Sequence, residues 1–237
     1  MAEIKQSQRI QTSLLNAAEK KALVWLADRQ PRWMTSNGLT IIGIFGSLMI
    51  FAGYVLTNLR IEWLWLASAG FLVNWYGDSL DGTLAHVRGT QRPLYGYYLD
   101  HTVDALNELL MFFGIGLSVL CNIWIALTGF IFYLLLTLNV SMNAHLKSEF
   151  KLTYAKLGPT ELRIIMVIIN TLFILVKPLA AYTSEHFFFG YSVHLTLFDY
   201  VAAVLVATLI IVYVVSVFTD LAEYARLDPP KNPGKRK

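Results

Sequence analysis

The chain has 237 residues, of which 56% are hydrophobic and only 15% charged. With a mean hydropathy of +0.52, it is too apolar for an ordinary soluble domain and reads as a membrane protein. A single cysteine, Cys121, excludes an intrachain disulfide and a thiolate metal centre, and no nucleic-acid motif accompanies the modest net charge of +3.

Residues 1–36 are polar and lack an apolar h-region, so no cleavable signal peptide is expected. Within them, positions 8–30 place Ile10, Leu14, Ala18, Ala22, Trp25 and Leu26 near one helical face, with Arg9, Lys20 and Arg29 elsewhere. That is the pattern of an amphipathic helix lying on a bilayer or packed on a partner or on the protein's own loops. Apolar runs follow at 38–56, 63–77, 105–121, 123–142, 164–182 and 196–218. The longer ones suffice to cross a hydrocarbon core of roughly 30 Å, and the others do so once polar flanks are counted. The expected fold is therefore an all-α integral membrane protein of six transmembrane helices with an N-terminal interfacial amphipathic helix. Its organisation reads as a cytoplasmic segment over 1–36, a six-helix catalytic domain over 37–220 and a basic cytoplasmic tail over 221–237. Gly114, Gly116 and Gly129 on the third and fourth runs offer surfaces for close helix packing, and a two-fold homodimer is expected.

Lysine and arginine set the orientation. With the N-terminus inside, the inner segments hold 17 of the 19 Lys and Arg residues, and the outer segments hold only Arg60 and Lys177. This is a strong positive-inside bias. It puts both termini on the cytoplasmic side, together with the loop between the second and third runs. The Pro-rich basic end, from Asp228 onward, is expected to be drawn to anionic headgroups.

That loop and its flanks carry the chemistry. Between Gly77 and Glu108 stand Asp78, Asp81, Asp100 and Asp104, half of the chain's eight aspartates. Ionisable groups at membrane depth are expensive and point to function. Asp78 and Asp81 are three apart, Asp100 and Asp104 four apart, so on helices each pair shares a face. Four converging carboxylates repel one another unless hard divalent cations hold them, and oxygen ligands suit Mg²⁺, Mn²⁺ or Ca²⁺. Glu108 extends the face of Asp100 and Asp104 by one turn, as an acceptor behind the site or a polar packing residue. Downstream, Gly158-Pro159-Thr160-Glu161-Leu162-Arg163 opens the fifth helix; it reads as a helix start, or as a means of putting Arg163 near a phosphate.

The register of these residues resembles the signature of the CDP-alcohol phosphotransferase family, D-x2-D-G-x2-A-R followed after eight or nine residues by G-x3-D-x3-D. Asp78, Asp81, Gly82, Ala85, Gly96, Asp100 and Asp104 all fall in place, and His86 stands where the family usually has arginine. Asn37, Leu39, Thr40 and Gly43 are similar to the family's N-x-[LI]-T-x-x-G. The resemblance implies transfer of a phosphatidyl-type group from a CDP-linked lipid, CDP-diacylglycerol, to a small alcohol, with release of CMP and two divalent ions, Mg²⁺ or Mn²⁺. It makes Asp78, Asp81 and Asp100 the chief metal ligands. Asp104 becomes the general base, nearest the acceptor hydroxyl and able to touch the second metal. Thr40, Gly43, Gly82, Ala85, His86, Arg92 and Arg163 become nucleotide- or substrate-binding residues, with Arg92, or Arg88, replacing the missing guanidinium. The short layout looks more like the CDP-diacylglycerol users than the choline and ethanolamine phosphotransferases, whose soluble donor and lipid acceptor are the alternative. A six-helix cation transporter is a reading of another class, but acids at the cytoplasmic helix ends and the lack of a repeat tell against it.

Overall fold

The computed structural model describes residues 8–10, 16–147, 149–151, 159–188 and 191–230. Leu14, Gly158 and the basic end 231–237, all invoked above, lie outside the described residues. The described chain is mostly helical: α1 (Asn16–Asp28), α2 (Ser36–Leu56), α3 (Leu64–Val87), α4 (Pro93–Gly116), α5 (Ile123–Lys147), α6 (Pro159–Leu175), a short α7 (Lys177–Ala181) and α8 (Leu197–Leu227). Three helices are long and apolar enough to cross a membrane, Ser36–Leu56, Ile123–Ala144 and Leu197–Leu227. Apolar side chains such as Ile41, Val204 and Ile211 stay well over half exposed on their outer faces, as a lipid-facing surface requires.

The expectation of an all-helical chain is modified by two short strand pairs. Strands β1 (Gln8–Ile10) and β2 (Glu149–Lys151) pair in parallel; β3 (Thr183–Phe188) and β4 (Tyr191–Thr196) form an antiparallel hairpin before α8. The run 164–182 does not stay helical to its end. The helix stops at Leu175 and restarts at Lys177, with Pro178 in the first turn of α7, because proline has no N–H to continue the preceding helix and its ring would clash with the carbonyl four residues back.

Glycines decide how α2 and α3 meet. A Cβ on Gly46 would stand 2.3 Å from the Asn74 backbone nitrogen, on Gly53 2.4 Å from that of Ala67, and on Gly77 2.2 Å from that of Gly43. The two backbones therefore approach as closely as bare glycine faces allow. Asn74, fully buried in that contact, donates to the Gly43 carbonyl at 3.1 Å and to Ser47 Oγ at 3.0 Å. A second polar bridge joins three helices. Tyr54 Oη on α2 donates to Asn170 Oδ1 on α6 at 2.9 Å, and Asn170 Nδ2 donates to Ser68 Oγ on α3 at 3.3 Å. Around it lies the main apolar core of Ile50, Leu64, Ala67, Phe71, Met166, Phe173 and Phe198.

Gly114, Gly116 and Gly129, expected to open surfaces for a second copy, are spent inside the chain. Gly114 packs on Phe51 of α2, Gly116 on Ile123 and Ala126, and Gly129 on Phe112 and Val206.

At the N-terminal side, α1 is shorter than the expected amphipathic segment, and Ile10 belongs to β1 instead. Its buried residues, Leu23 and Ala27, join Leu39, Leu80 and Leu84 in a second core cluster, whereas Trp25 is 54% exposed. The helix is thus seated on the ends of α2 and α3, beside the aspartates.

Candidate active site

The helices that carry the aspartates are longer than their apolar runs. Helix α3 continues through Val87 and α4 begins already at Pro93, so all four acids project from regular helix rather than from a loop. The turn between them needs a left-handed residue, supplied by Gly89 at φ 64°. Proline in the first turn of α4 costs nothing, since its missing N–H would have no partner there. The turn is also held from outside. The Arg88 guanidinium donates to the Gln30 carbonyl at 3.0 Å, the Pro31 carbonyl at 2.9 Å and the Met34 carbonyl, tying the end of α3 to the link between α1 and α2.

Asp78, Asp100 and Asp104 bring carboxylate oxygens within 4.8 Å of one another. Arg163, on the first turns of α6, donates to Asp78 Oδ2 at 2.6 Å, with both side chains largely buried. Three carboxylates facing one guanidinium leave uncompensated negative charge in a partly desolvated place. An all-oxygen set of this size is the donor chemistry of a hard divalent ion.

Asp81 is not part of that cluster. Its Oδ2 accepts the Thr40 hydroxyl at 2.6 Å, and its backbone carbonyl accepts Ser36 Oγ at 3.0 Å. The start of α2 is thereby clamped to α3. Thr40, read from sequence as a nucleotide contact, reaches an aspartate; Gly43 lies in the helix contact, where a Cβ would stand 3.3 Å from the Asp78 amide nitrogen. Glu108 sits one turn beyond Asp104, with Oε2 buried and without a hydrogen-bond partner among the described residues.

The remaining candidates line an open rim. Gly82 and Gly96 face free space: a Cβ at either would meet nothing within 4 Å. Neither is a helix-packing glycine within this chain. Ala85 is half-buried one turn past Asp81, and His86 is exposed at the end of α3, its ring without a polar contact among the described residues. Arg92 is exposed and lays its guanidinium 4.0 Å over the Tyr95 ring. Tyr95 Oη in turn accepts Asn37 Nδ2 at 3.1 Å. The structure therefore brings Asp78, Asp100, Asp104 and Arg163 together, hangs Asp81 and Thr40 beside them, and leaves Gly82, His86, Arg92 and Gly96 around the opening. Of the cations near the departure at His86, Arg88 is engaged with three backbone carbonyls, which leaves Arg92 exposed to solvent at the rim.

Two contributors escaped the sequence reading. Gly77 stands directly before Asp78 and sets its depth against α2. Glu19 on α1 accepts Trp75 Nε1 at 2.8 Å and Thr160 Oγ1 at 2.6 Å. The available signal was spacing: Trp75 and Thr160 each precede a charged site residue by three.

A family model described as CDP-alcohol phosphatidyltransferase matches residues 33–214. Archaetidylinositol phosphate synthase of Pyrococcus horikoshii is 36% identical over 85 residues, covering 36% of this chain and 42% of that protein. Human cholinephosphotransferase 1 is 26% identical over 168 residues, covering 68% of this chain and 41% of that protein. The chain thus spans less than half the length of either relative.

Proposed function

Because the chain belongs to the CDP-alcohol phosphatidyltransferase family, we propose that it is a membrane enzyme that moves a substituted phosphate from a CDP-linked donor to an alcohol and releases CMP. The observation that carries this is the convergence of Asp78, Asp100 and Asp104 within 4.8 Å, with Arg163 against one edge. Their oxygens, with Asp81 adjoining, suit two divalent ions, Mg²⁺ or Mn²⁺. Such ions, when bound, neutralise the donor's diphosphate as its charge grows on the leaving side.

The protein's own groups then have distinct tasks. Asp104 accepts the proton of the acceptor hydroxyl, whose oxygen attacks the phosphorus bearing the transferred group. The bond from that phosphorus to the CMP oxygen breaks, and CMP departs with the electron pair. Arg163 offers a guanidinium to phosphate oxygens while balancing Asp78. The bare backbone at Gly82 lets the nucleotide approach α3, with Ala85 and His86 along that side, while Thr40 and Gly43 act from behind by holding Asp81 and letting α2 close on α3. Arg92 takes the part of the family's arginine. In this reading α2, α3, α4, α5, α6 and α8 are the six spans. The distribution of Lys and Arg puts both termini and the site on the cytoplasmic face, and the working unit is a homodimer with one site per protomer.

The donor in this reading is a CDP-linked lipid such as CDP-diacylglycerol, with a small alcohol as acceptor. One observation favours the reverse, a soluble CDP-alcohol with a lipid acceptor: the match to cholinephosphotransferase runs over 68% of this chain. The purified protein in nanodiscs, supplied with Mg²⁺, should release CMP from CDP-diacylglycerol in the presence of one of a panel of alcohols. Release only from CDP-choline or CDP-ethanolamine with diacylglycerol selects the second reading. No CMP from any of these donors would overturn both.

A further inference from the structure

Near the aspartates, two polar links connect α3 to α6. Asp78 and Arg163 form one, at 2.6 Å. The other lies three residues earlier on each helix, where Trp75 and Thr160 both donate to the same oxygen of Glu19, at 2.8 and 2.6 Å. The helices run antiparallel, since Asn170 meets Ser68 while Arg163 meets Asp78; the Glu19 link therefore crosses the ion pair, pinning the first turn of α6 to the face of α3 that carries Asp78. Glu19 belongs to neither helix. It comes from α1, which is seated by Leu23 and Ala27 on the cluster containing Leu80 and Leu84. We propose that Glu19 is a positioning residue: its carboxylate holds the start of α6 against α3 so that Arg163 stays on Asp78. The inference rests on reading Asp78 and Arg163 as site residues.

The chemistry explains why a carboxylate suits this place. Trp75 and Thr160 can each give one hydrogen, and a single charged acceptor takes both in bonds stronger than neutral ones. Thr160 lies in the first turn of α6, where the helix dipole also favours a nearby negative charge. Without Glu19, two donors lose their shared partner, and Arg163 is held at α3 by its ion pair and by the packing of α6 farther along, at Asn170 and Phe173.

The test uses the full chain in nanodiscs and two readouts: Mn²⁺ affinity, from the free-ion paramagnetic resonance signal, and kcat/KM for CMP release. Arg163→Ala removes the positive charge that competes for Asp78, so Mn²⁺ should bind roughly three- to tenfold more tightly while kcat/KM falls. Glu19→Ala should shift both quantities in the same directions. Glu19→Gln, whose carbonyl oxygen still accepts both hydrogens in weaker neutral bonds, should fall between wild type and Glu19→Ala. Thr160→Val, which cuts only the α6 arm and leaves the α1–α3 bond intact, should reproduce the Mn²⁺ shift without disturbing the seat of α1. The double variant Glu19→Ala/Arg163→Ala should match Arg163→Ala alone. A Glu19→Ala protein with wild-type Mn²⁺ affinity, a Glu19→Gln protein as impaired as Glu19→Ala, or additive losses in the double variant would each overturn the proposal. If Arg163→Ala itself leaves both readouts unchanged, the site assignment falls, and the bridge with it.

Discussion

Gly77 and Gly82, five residues apart on α3, should fail in opposite ways when each is given one methyl group. At Gly77 the new Cβ would sit 2.2 Å from the Gly43 nitrogen and 2.5 Å from the Leu39 carbonyl oxygen, where ordinary contact begins at 3.4 Å. Both obstacles are backbone, so relief requires α2 and α3 to separate by about 1 Å. Overpacking of this kind costs roughly 1–3 kcal/mol. Because Asp78 is the next residue and Thr40 clamps Asp81 from α2, an error of about 1 Å reaches the carboxylates directly and is worth on the order of a hundredfold in rate. Gly77→Ala should therefore unfold at lower temperature and lose most of its activity. At Gly82 the methyl enters open space, and alanine is the better helix former by about 1 kcal/mol. Gly82→Ala should melt at or above the wild-type temperature, yet show a higher KM for the CDP donor and a roughly tenfold or greater loss in kcat/KM, the scale of one charged phosphate contact. Thermal unfolding in detergent and CMP release, measured on both variants, check the pair. A Gly82→Ala enzyme with wild-type KM would refute the idea that this bare stretch of α3 receives the nucleotide.

Chelation with excess EDTA should abolish CMP release, and Mg²⁺ or Mn²⁺ should restore it; full activity in EDTA would remove the metal reading of the carboxylates. Asp78→Asn, Asp100→Asn and Asp104→Asn should each cost several orders of magnitude in rate while the protein still inserts and runs as a single species on size exclusion. Arg88→Ala frees three backbone carbonyls and should lower the unfolding temperature with little change in donor KM, whereas Arg92→Ala should raise donor KM with little change in unfolding temperature. Tyr54→Phe leaves buried Asn170 Oδ1 without its donor and should destabilise by about 1–3 kcal/mol, read from denaturant unfolding in mixed micelles. An unchanged midpoint there would remove the three-helix bridge from the account of stability.

Much of the fold was legible because the bilayer forces long apolar runs, and α2, α5 and α8 each begin within two residues of theirs. The boundaries of α3 and α4 were not. Their site ends are helical but polar, so hydropathy stops at residue 77 and resumes at 105 although the helices reach Val87 and begin at Pro93. Period, not polarity, was the signal: acids three and four apart make sense on helix. The break in α6 was readable in Lys177-Pro178, since proline ends the preceding helix whatever the hydropathy. The hairpin before α8 falls between the runs 164–182 and 196–218, where hydropathy marks only a connection and says nothing of the strand preference of its aromatic and β-branched residues.

The candidate site divides along the same line. Which carboxylates gather could be inferred from spacing within each helix. Which of the four stands apart depends on what the neighbouring helix offers, and Thr40 Oγ1 draws Asp81 aside at 2.6 Å. The sequence left Arg88 and Arg92 as alternatives for the arginine missing at His86, because charge alone cannot tell a tether from a substrate clamp. Backbone acceptors can. A guanidinium shared among three carbonyls has little left to offer a phosphate, and moving it would release the α1–α2 link that positions α1. Arg92 rests on an aromatic face, an interaction of about 0.5–1 kcal/mol at an exposed site, which a charged phosphate contact of roughly 1.5–3 kcal/mol readily exceeds. The cation better able to leave its resting contact is the one free to meet the donor.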